Sequence, residues 1–495
     1  MASTSEGGCR RIVSGDSKAQ SPGRVIVSTI VEADVVAAVS AVVREDQVLT
    51  DAASLAAYSH DDAEWAAYER PLAVVLAEST DDVAAVVAWC ATNGVAVVAR
   101  GSGTGLSGGA NAVADSIVLS LERMTTVLEI DTAERYVIAQ AGVINDSLRA
   151  SVAAHGLWYP PDPASSAIST IGGNAATNAG GICCVKYGVT RDYVLGMTVV
   201  LADGAVVQLG RRTAKGVAGY DLTALMVGSE GTLGIITELT LKLLPLAGRE
   251  ERAVVGYFPS LHAAGVAVAG IASAGIIPAA LELIDSTCLR AVDDWQQWGL
   301  PCDVEALLLA KIDDAGASGD AIADRVADAM TTANGVSVER ASEQDDVDRL
   351  FLARRLAYPA LERLGPVLTE DVCVPRIAVP AMLTRIQAIA AASDVVIANI
   401  AHAGDGNLHP LIIAPDGDDA AKARAKVAFD GIIAECLALG GTVTGEHGVG
   451  LLKLPGLADE LGDRVIEMHR AIKLALDPLN TLNPGKAFPA AAATP

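Results

Sequence analysis

Apolar segments alternate with polar, turn-forming segments along the first part of the chain, and this alternation predicts strands and helices in turn. The apolar segments at 71–76 and 95–99 are short, as buried strands are. Between them, Ser79 followed by two aspartates predicts the start of a helix, and Asn93-Gly94 predicts its end. Further elements predicted in this part are a helix at 31–43, strands at 116–121 and 136–141, a helix at 145–154 and a hairpin turn at Asp203-Gly204.

A glycine-rich stretch follows the second of these strands directly. Residues 100–109 are Arg-Gly-Ser-Gly-Thr-Gly-Leu-Ser-Gly-Gly. A backbone without side chains turns tightly and brings successive N–H groups against a polyanion such as a pyrophosphate. A Rossmann or Walker site requires a helix directly after the glycines, and the apolar segment at 116–121 leaves no room for one. For this stretch taken alone, a flexible surface loop is the alternative interpretation.

Two more stretches have the same character. Residues 159–163 contain three prolines, residues 165–181 consist mostly of small residues, and residues 228–237 begin Gly-Ser-Glu-Gly-Thr-Leu-Gly. Prolines fix φ and glycines remove side chains, so a stiff, thin backbone is expected along an extended ligand. Three such stretches close together favour one shared ligand site over independent surface loops.

Beyond residue 245 the glycine density falls and strands alternate with helices. This pattern predicts an α+β domain in which helices cover one side of a sheet. The predicted elements are strands at 253–258, 280–284 and 306–312, and helices near 261–274 and 321–333.

Histidines and a carboxylate in two short motifs provide candidate chemistry. His402 and His409 flank a glycine-containing turn, and Glu446 and His447 lie in Gly-Glu-His-Gly-Val-Gly. Two imidazoles and one carboxylate form a three-ligand metal site with open positions, as a Lewis-acid centre needs. Any one of these histidines taken alone is more often a buried core residue than a metal ligand.

Composition narrows the class of protein. The 495 residues include 60 acidic and 36 basic side chains, and the net charge of −24 argues against a nucleic-acid partner. No segment reaches the roughly 18 consecutive apolar residues of a membrane span. The eight cysteines include the adjacent pair Cys183-Cys184 but no Cys-x-x-Cys, which argues against a disulfide framework or an iron–sulfur cluster and fits a reducing cytoplasm.

With these motifs in this order, the chain from about residue 40 to residue 489 resembles the FAD-dependent oxidoreductases of the vanillyl-alcohol oxidase type. The most similar branch contains D-lactate dehydrogenases, glycolate oxidase flavoprotein subunits and D-2-hydroxyglutarate dehydrogenases. The resemblance implies an α+β fold with a bipartite FAD-binding domain, an α+β cap domain and a C-terminal segment that returns to the FAD domain. The expected divisions are a disordered or loosely attached N-terminus at 1–30, the FAD-binding domain at 31–245, the cap with the substrate and metal sites at 246–450 and the return segment at 451–495.

The same resemblance implies where FAD binds. The pyrophosphate is expected on residues 100–109, the flavin and ribityl chain along 160–181, and the adenine half beside 228–237. Some relatives carry a covalently attached histidine where this chain has Thr104, so non-covalent FAD is expected. Lys486 is expected either to touch the isoalloxazine edge or to be a solvated terminal charge. The residues expected to contact FAD are Arg100, Gly101, Ser102, Gly103, Thr104, Gly105, Gly108, Pro161, Gly172, Gly173, Asn178, Gly180, Gly228, Glu230, Gly231, Gly234, Ile235, Ile236, Asn483 and Lys486.

The resemblance also assigns roles around the cap motifs. His402, His409 and Glu446 match the positions of metal ligands, with zinc expected and manganese or iron as alternatives. Arg354 matches an arginine that binds the substrate carboxylate, and His447 would be the base.

Two further positions bear on the choice of acid. Tyr358 and Thr369 stand where hydroxyglutarate-specific relatives have a threonine and a lysine, so a dicarboxylate is disfavoured. The segment at 370–375 is most similar to the D-lactate dehydrogenase branch, with the glycolate oxidase subunits close behind.

The expected function is therefore FAD-dependent oxidation of a small D-2-hydroxy acid, D-lactate favoured, to the 2-oxo acid. The alternatives are a glycolate oxidase flavoprotein subunit and a partner-dependent FAD-carrying electron-transfer subunit without catalysis of its own. Electrons would pass to an external acceptor, which is a quinone, a cytochrome or an electron-transfer protein. We expect a cytoplasmic protein that can form a homodimer and can lie at the membrane surface through its acceptor partner. No nucleic-acid partner and no membrane span are expected.

Overall fold

The computed structural model describes residues 32–213, 215–246, 250–340, 344–415 and 418–489. The expectation for residues 1–30 lies outside these ranges. The helices are α1 Glu32–Val39, α2 Ala52–Tyr58, α3 Thr80–Asn93, α4 Asn145–Ala153, α5 Ile171–Thr177, α6 Cys184–Tyr187, α7 Leu222–Met226, α8 Leu261–Ser273, α9 Ser286–Gln296, α10 Gly316–Thr332, α11 Gln344–Glu362, α12 Val379–Ser393, α13 Asp419–Ala438 and α14 Leu454–Leu476. The strands are β1 Val48–Leu49, β2 Ala73–Leu76, β3 Ala96–Arg100, β4 Ser116–Ser120, β5 Val127–Asp131, β6 Tyr136–Gln140, β7 Leu157–Trp158, β8 Val194–Val200, β9 Val206–Gly210, β10 Ile235–Lys242, β11 Leu244–Pro245, β12 Arg252–Phe258, β13 Ala280–Asp285, β14 Ala306–Ile312, β15 Ser337–Arg340, β16 Val367–Thr369, β17 Val372–Cys373, β18 Val396–His402 and β19 Asn407–Ile413.

The first sheet has the strand order β1-β2-β4-β3. β2, β4 and β3 are parallel, and α3 is the crossover between β2 and β3. At the start of α3 the Ser79 hydroxyl accepts a hydrogen bond from Asp82 N at 3.1 Å, and Gly94 ends the helix with φ of 69°. The start and end predicted from the sequence are therefore confirmed, and the glycine-rich stretch begins where β3 ends.

The second sheet has the strand order β5-β6-β10-β8-β9 and is antiparallel throughout. The predicted hairpin turn joins β8 to β9, and Gly204 adopts φ of 84° within it. Leu148 of α4 and Ile171 of α5 pack into the apolar core on one face of this sheet.

The segment 165–181 contains a helix, α5, that its composition does not predict. The Thr170 hydroxyl caps the helix by accepting from Gly173 N at 3.2 Å. A Cβ on Gly172 would lie only 2.5 Å from the Cβ of Ala141. The glycine therefore serves a close helix–sheet contact, because any side chain would separate α5 from the strand beneath it.

The third sheet has the strand order β15-β12-β14-β13-β18-β19-β16, with β17 also paired to β19. The prediction that helices cover one side is wrong, because helices cover both. On one face α8, α10, α12 and α13 bury side chains such as Leu283. On the other face α9 and α11 bury the next residue, Ile284. All six residues of β13 are buried, as strands between two helical layers require.

The C-terminal segment returns to the first sheet, as expected from the resemblance. Val97 and Leu482 form a parallel bridge, and Asn483 N donates to Val97 O at 2.7 Å. Through the described part of the chain, no helix is both long enough and apolar enough to cross a membrane. All seven cysteines within the described ranges are free thiols.

Candidate active site and cofactor cleft

Three side chains from separate parts of the cap converge at one end of its sheet. His402 ends β18, His409 lies on β19, and Glu446 lies in the loop between α13 and α14. Glu446 Oε1 is 3.2 Å from His402 Nε2 and 3.4 Å from His409 Nε2. The structure therefore brings together the three residues predicted to be metal ligands.

The donor set fits a divalent transition metal. One ligand atom from each of His402, His409 and Glu446 lies within 4.8 Å of the others. His402 Nδ1 lies 2.9 Å from Glu282 Oε1, and His409 Nδ1 lies 3.7 Å from Asp371 Oδ1. Carboxylates in this outer position orient metal-binding histidines so that the opposite nitrogen faces the ion.

Asp371 shapes the loop that carries Glu446. Its Oδ2 accepts hydrogen bonds from the Thr444 hydroxyl at 2.6 Å and from the backbone N–H groups of Gly445, Glu446 and His447 at 2.9, 3.0 and 2.8 Å. Asp371, His409 and His447 also form a second group with metal-ligand spacing. Because Oδ2 is already shared by four donors, we regard the carboxylate as the organiser of the loop.

Lys453 and Glu370 are buried beneath this loop. Lys453 Nζ lies 3.6 Å from Asp371 Oδ2 and 3.8 Å from Glu370 Oε2, without a hydrogen bond to either. Burial raises the pKa of Glu370 to about 8, although Lys453 opposes the shift. Glu370 is therefore mostly protonated at neutral pH.

His447 stacks on His409, with ring centroids 4.9 Å apart and planes inclined by 14°. Its Nε2 lies 3.9 Å from Glu446 Oε1, and its Nδ1 has no hydrogen-bond partner among the described residues. Burial lowers the pKa of His447 to about 4, although Asp371 opposes the shift. The ring is therefore neutral at pH 7 and able to accept a proton.

The pKa values of His402 and Glu446 are shifted in opposite directions. Burial disfavours the charged form of His402, but Glu282 and Glu446 outweigh it and raise the pKa of His402 well above its usual value. Burial likewise disfavours ionised Glu446, but His402 and His409 hold the pKa of that carboxyl well below its usual range. The carboxylate is therefore ionised, as a metal ligand must be.

Arg354 reaches this cluster through Glu282. Arg354 Nε lies 3.0 Å from Glu282 Oε2, and the same carboxylate holds His402 on its other side. The contact is an ion pair without hydrogen-bond geometry, since Nε has no hydrogen-bond partner. The terminal nitrogens of Arg354 donate no hydrogen bond within the described ranges, so they are available to a ligand carboxylate.

The glycine-rich stretch at 100–109 provides unpaired donors. None of its backbone N–H groups from 101 to 109 donates a hydrogen bond to another described residue. Gly103 and Gly108 adopt φ of 79° and 81°, which other residues rarely do. A row of free N–H groups on such a backbone fits the oxygens of a pyrophosphate.

Arg100 holds this stretch in shape. Its guanidinium donates to the backbone carbonyls of Tyr58, His60 and Ser102 at 3.1, 2.7 and 3.2 Å. A Cβ on Gly103 would lie 1.9 Å from the same guanidinium. The Arg100 guanidinium thus donates three hydrogen bonds to backbone carbonyls that shape the glycine-rich stretch.

The second stretch lies directly against the metal cluster. A Cβ on Gly180 would lie 2.5 Å from Glu446 Oε2, and one on Gly181 would lie 2.5 Å from the Asp162 backbone. Asn178 ends α5 with φ of 56°. The flavin expected along this stretch would therefore lie beside the proposed metal ligands.

The third stretch is held by packing. Gly228 N donates to Ala175 O at 2.9 Å. A Cβ on Gly234 would lie 2.5 Å from Val199 Cγ1. Ile235 and Ile236 point into two different apolar cores, so neither side chain is available for the predicted cofactor contact. Of the remaining predicted contacts, Pro161 is buried, Gly173 and Thr104 are partly exposed, Gly231 has φ of 70° and Gly105 lies against Asp61.

Glu230 connects the cofactor cleft with the metal loop. It is buried, and its two carboxylate oxygens accept hydrogen bonds from Val449 N and Gly450 N, each at 2.8 Å. The Ser107 hydroxyl adds a third connection by donating to Gly448 O at 2.9 Å. The glycine-rich stretch and the metal loop therefore form one continuous structure.

Lys486 is not a solvated terminal charge, which corrects one of the two alternatives. Its side chain is 1% exposed, and Nζ donates to Asn111 O and, at 2.7 Å, to Asn483 Oδ1. Burial lowers the pKa of Lys486 to about 8. Asn483 Nδ2 donates in turn to Gly109 O and Glu230 O at 2.9 and 2.7 Å. Both residues therefore fasten the return segment to the cleft.

Sequence analysis missed Glu282 and the organising role of Asp371. Glu282 is an acidic residue in the middle of the mostly apolar strand β13, which is an unusual place for a charge and a usable signal of function. Asp371 stands beside Glu370 between β16 and β17, and two adjacent acidic residues within an apolar context give the same signal.

Together, the glycine-rich cleft, the two sheets beneath it and the antiparallel cap define a two-domain FAD-binding fold of the vanillyl-alcohol oxidase type. The chain superimposes on p-cresol methylhydroxylase with a TM-score of 0.77 at 17% identity, covering 92% of this chain and 96% of that one. It superimposes on 4-ethylphenol oxidase from Gulosibacter chungangensis with a TM-score of 0.75 at 18% identity, covering 92% and 97%.

The chain belongs to the family of FAD-linked oxidases and is an FAD-dependent oxidoreductase. Residues 71–210 match the FAD binding domain, and residues 248–487 match the C-terminal domain of FAD linked oxidases. The glycolate oxidase subunit GlcD of Bacillus subtilis is 42% identical over 84% of this chain and 89% of its own length. The D-lactate dehydrogenase of Anaerostipes hadrus is 36% identical over 87% of this chain and 92% of its own length.

Proposed function

We propose that the protein oxidises a small D-2-hydroxy acid to the 2-oxo acid, with non-covalently bound FAD as the oxidant. The observation that carries this proposal is the convergence of His402, His409 and Glu446 beside His447, against Gly180 of the cofactor cleft. Oxidation of this kind needs an anchor for the carboxylate, a base for the hydroxyl proton and an acceptor for the hydride. The first two correspond to side chains at this place.

Arg354 is the proposed carboxylate anchor. Its Nε is turned to Glu282, and the planar fork of its terminal nitrogens offers two parallel donors of the geometry that a carboxylate accepts. The Glu282 carboxylate also fixes His402, so the anchor and the metal cluster keep a constant spacing.

His447 is the proposed base. It is neutral at pH 7 because burial lowers its pKa to about 4, and its Nε2 lies 3.9 Å from the Glu446 carboxylate. A neutral imidazole beside the cluster accepts the proton of a hydroxyl held between them.

His402, His409 and Glu446 would hold a divalent metal, for which two imidazoles and a carboxylate favour zinc, with manganese or iron as alternatives. Such an ion supplies Lewis-acid polarisation of the substrate hydroxyl. FAD supplies the hydride acceptor, which no protein side chain can be. Burial of the cluster keeps bulk water away from the reacting atoms.

The relatives support a small 2-hydroxy acid as the substrate, but they differ in which acid their names give. The Bacillus subtilis relative is a glycolate oxidase subunit and the Anaerostipes hadrus relative a D-lactate dehydrogenase. D-lactate remains the favoured candidate and glycolate the alternative. Because the Bacillus subtilis relative is a subunit, a second candidate function is that of an FAD-carrying subunit that turns over only with a partner. Either function needs an external electron acceptor.

An anaerobic substrate panel tests both candidates. Purified protein loaded with FAD is mixed with D-lactate, L-lactate, glycolate or D-2-hydroxyglutarate, and flavin absorbance is followed. We expect bleaching by D-lactate or glycolate, weak bleaching by L-lactate and none by the dicarboxylate. Absence of bleaching by every acid would refute independent catalysis. Bleaching restored only by a partner protein would support the subunit function.

A further inference from the structure

An open cavity lies between the cap and the glycine-rich stretch, and its empty space of about 200 Å³ includes the solvent at its mouth. Both halves of the chain line it, and the lining residues that matter here are Asp62, Glu64, Leu106, Tyr358, Thr369 and Leu452.

Two walls of this cavity lead directly into the candidate active site. Tyr358 follows Arg354 by four residues in α11, so the two side chains share one face of that helix. Thr369 lies two residues before Asp371, whose carboxylate lies 3.7 Å from His409 Nδ1. A substrate whose carboxylate is held by Arg354 therefore has this cavity beside it.

The other two walls belong to the cofactor side. Leu106 lies within the stretch at 100–109, and Leu452 N donates to Ser107 O at 3.2 Å. The cavity therefore lies between the stretch expected to bind the pyrophosphate and the cap segment that leads from Thr369 to Asp371.

The inner end of the cavity presents an unsatisfied hydroxyl. Thr369 is 93% buried, and its hydroxyl has no hydrogen-bond partner of normal geometry. The Tyr358 hydroxyl faces it and also faces Glu362. A buried polar group without a partner is unfavourable, so this end favours a ligand that brings its own hydroxyl.

The mouth of the cavity is acidic. Asp62 and Glu64 are exposed at its rim, and Glu362 lies close to Tyr358. None of the described side chains that line the cavity is Lys, Arg or His. A second carboxylate entering here would meet the like charges of Asp62 and Glu64 without a cationic side chain in the lining.

We propose that this cavity receives the C3 substituent of the substrate and that, among monocarboxylic 2-hydroxy acids with a substituent on C3, it favours those in which the substituent is a hydroxyl group. This inference rests on the proposed oxidation of a 2-hydroxy acid at the same site. The C3 hydroxyl would hydrogen-bond to Thr369 and Tyr358. A methyl group at that position offers no hydrogen bond to the buried Thr369 hydroxyl, and a carboxylate is repelled by the acidic rim.

A matched pair of substrates isolates the effect of the C3 hydroxyl. D-glycerate and D-2-hydroxybutyrate have the same shape and differ only in a terminal hydroxyl or methyl group. We expect kcat/KM for flavin reduction to be about 10-fold or more higher for D-glycerate, since a site built to bond a hydroxyl rejects the analogue that lacks it. A second pair, D-malate and its uncharged 4-amide, isolates charge, and the amide should be the better substrate.

Variants locate the selection. Thr369→Val keeps the shape of the side chain and removes its hydroxyl, so the ratio of D-glycerate to D-2-hydroxybutyrate should fall towards one. Thr331→Val, on the exposed face of α10, is the matched control and should keep the wild-type ratio. If Thr369→Val does not retain FAD, Tyr358→Phe provides the same comparison.

The outcomes separate the two proposals. If no 2-hydroxy acid reduces the flavin, the proposed function fails. If D-lactate reduces it but D-2-hydroxybutyrate equals or exceeds D-glycerate, the function stands and the hydroxyl selection is overturned. An unchanged ratio in Thr369→Val, or a preference for D-malate over its amide, would equally overturn the assignment of the cavity.

Discussion

Replacing Asp371 with asparagine should weaken metal binding without touching a ligand. The carboxylate accepts four donors on Oδ2 and the Asn407 side chain, at 2.8 Å, on Oδ1. An amide has one oxygen and one NH2 group. Whichever way Asn turns at this position, its NH2 group must face hydrogen-bond donors. Either the bond from Asn407 or the bonds from the loop are therefore lost.

The size of the effect follows from these contacts. Hydrogen bonds to charged groups each contribute about 1.5–3 kcal/mol, and several of them hold the loop that carries Glu446. Loss of an outer carboxylate of this type lowers metal affinity roughly 10- to 100-fold. We therefore expect Asp371→Asn to raise the Kd for Zn²⁺ by about that factor, measured by competition with a chromophoric chelator.

Asp285→Asn is the matched control. Asp285 is also a buried carboxylate of the cap, and it accepts from Cys288 N at 2.9 Å and Asn399 N at 2.6 Å, away from the metal loop. Urea unfolding in the presence of EDTA should show both variants to be destabilised, whereas only Asp371→Asn should lose metal affinity. Equal metal affinity in wild type and Asp371→Asn, or equal losses in both variants, would refute the organising role.

Three further predictions address the base, the buried acid and the cofactor cleft. His447→Ala should retain FAD but reduce it at least ~10²-fold more slowly, and added metal should not restore the rate. Glu446→Ala should regain some rate at high metal concentration. Equal rescue of the two variants would show that base and ligand are wrongly assigned. Because the pKa of Glu370 is raised in the folded protein, the stability of the wild type should fall as pH increases from about 4.5 to about 8. The urea midpoints at pH 5 and pH 9 should therefore differ less in Glu370→Gln than in the wild type. In Gly101→Ala the new Cβ would lie 2.1 Å from a neighbouring hydroxyl oxygen, so the FAD-to-protein ratio after gel filtration should drop, while Gly270→Ala, which has open space around it, should keep its FAD.

Local sequence signals predicted the elements that local chemistry determines. Ser79 and Gly94 bound α3 because a side-chain cap and a left-handed glycine act within a few residues. The glycines of 100–109 indicated a backbone built for close approach, and its N–H groups from 101 to 109 donate no hydrogen bond to the described part of the chain.

Contacts between distant parts of the chain were beyond that reasoning. Glu282 and Arg354 meet across a sheet and a helix, and Glu230 bonds Val449 from the other half of the molecule. The second helical layer of the cap was missed for the same reason. An apolar strand such as β13 shows that both faces are buried, but not which elements bury them.

The contacts of Glu230 have a thermodynamic consequence. Its carboxylate joins the stretch expected to border FAD to the loop that carries Glu446, so ordering one side lowers the entropy that must be lost to order the other. For the proposed metal, linkage then requires reciprocity, in which FAD would tighten metal binding by the same factor as metal would tighten FAD binding. Removal of either cofactor is therefore expected to loosen the protein's hold on the one that remains.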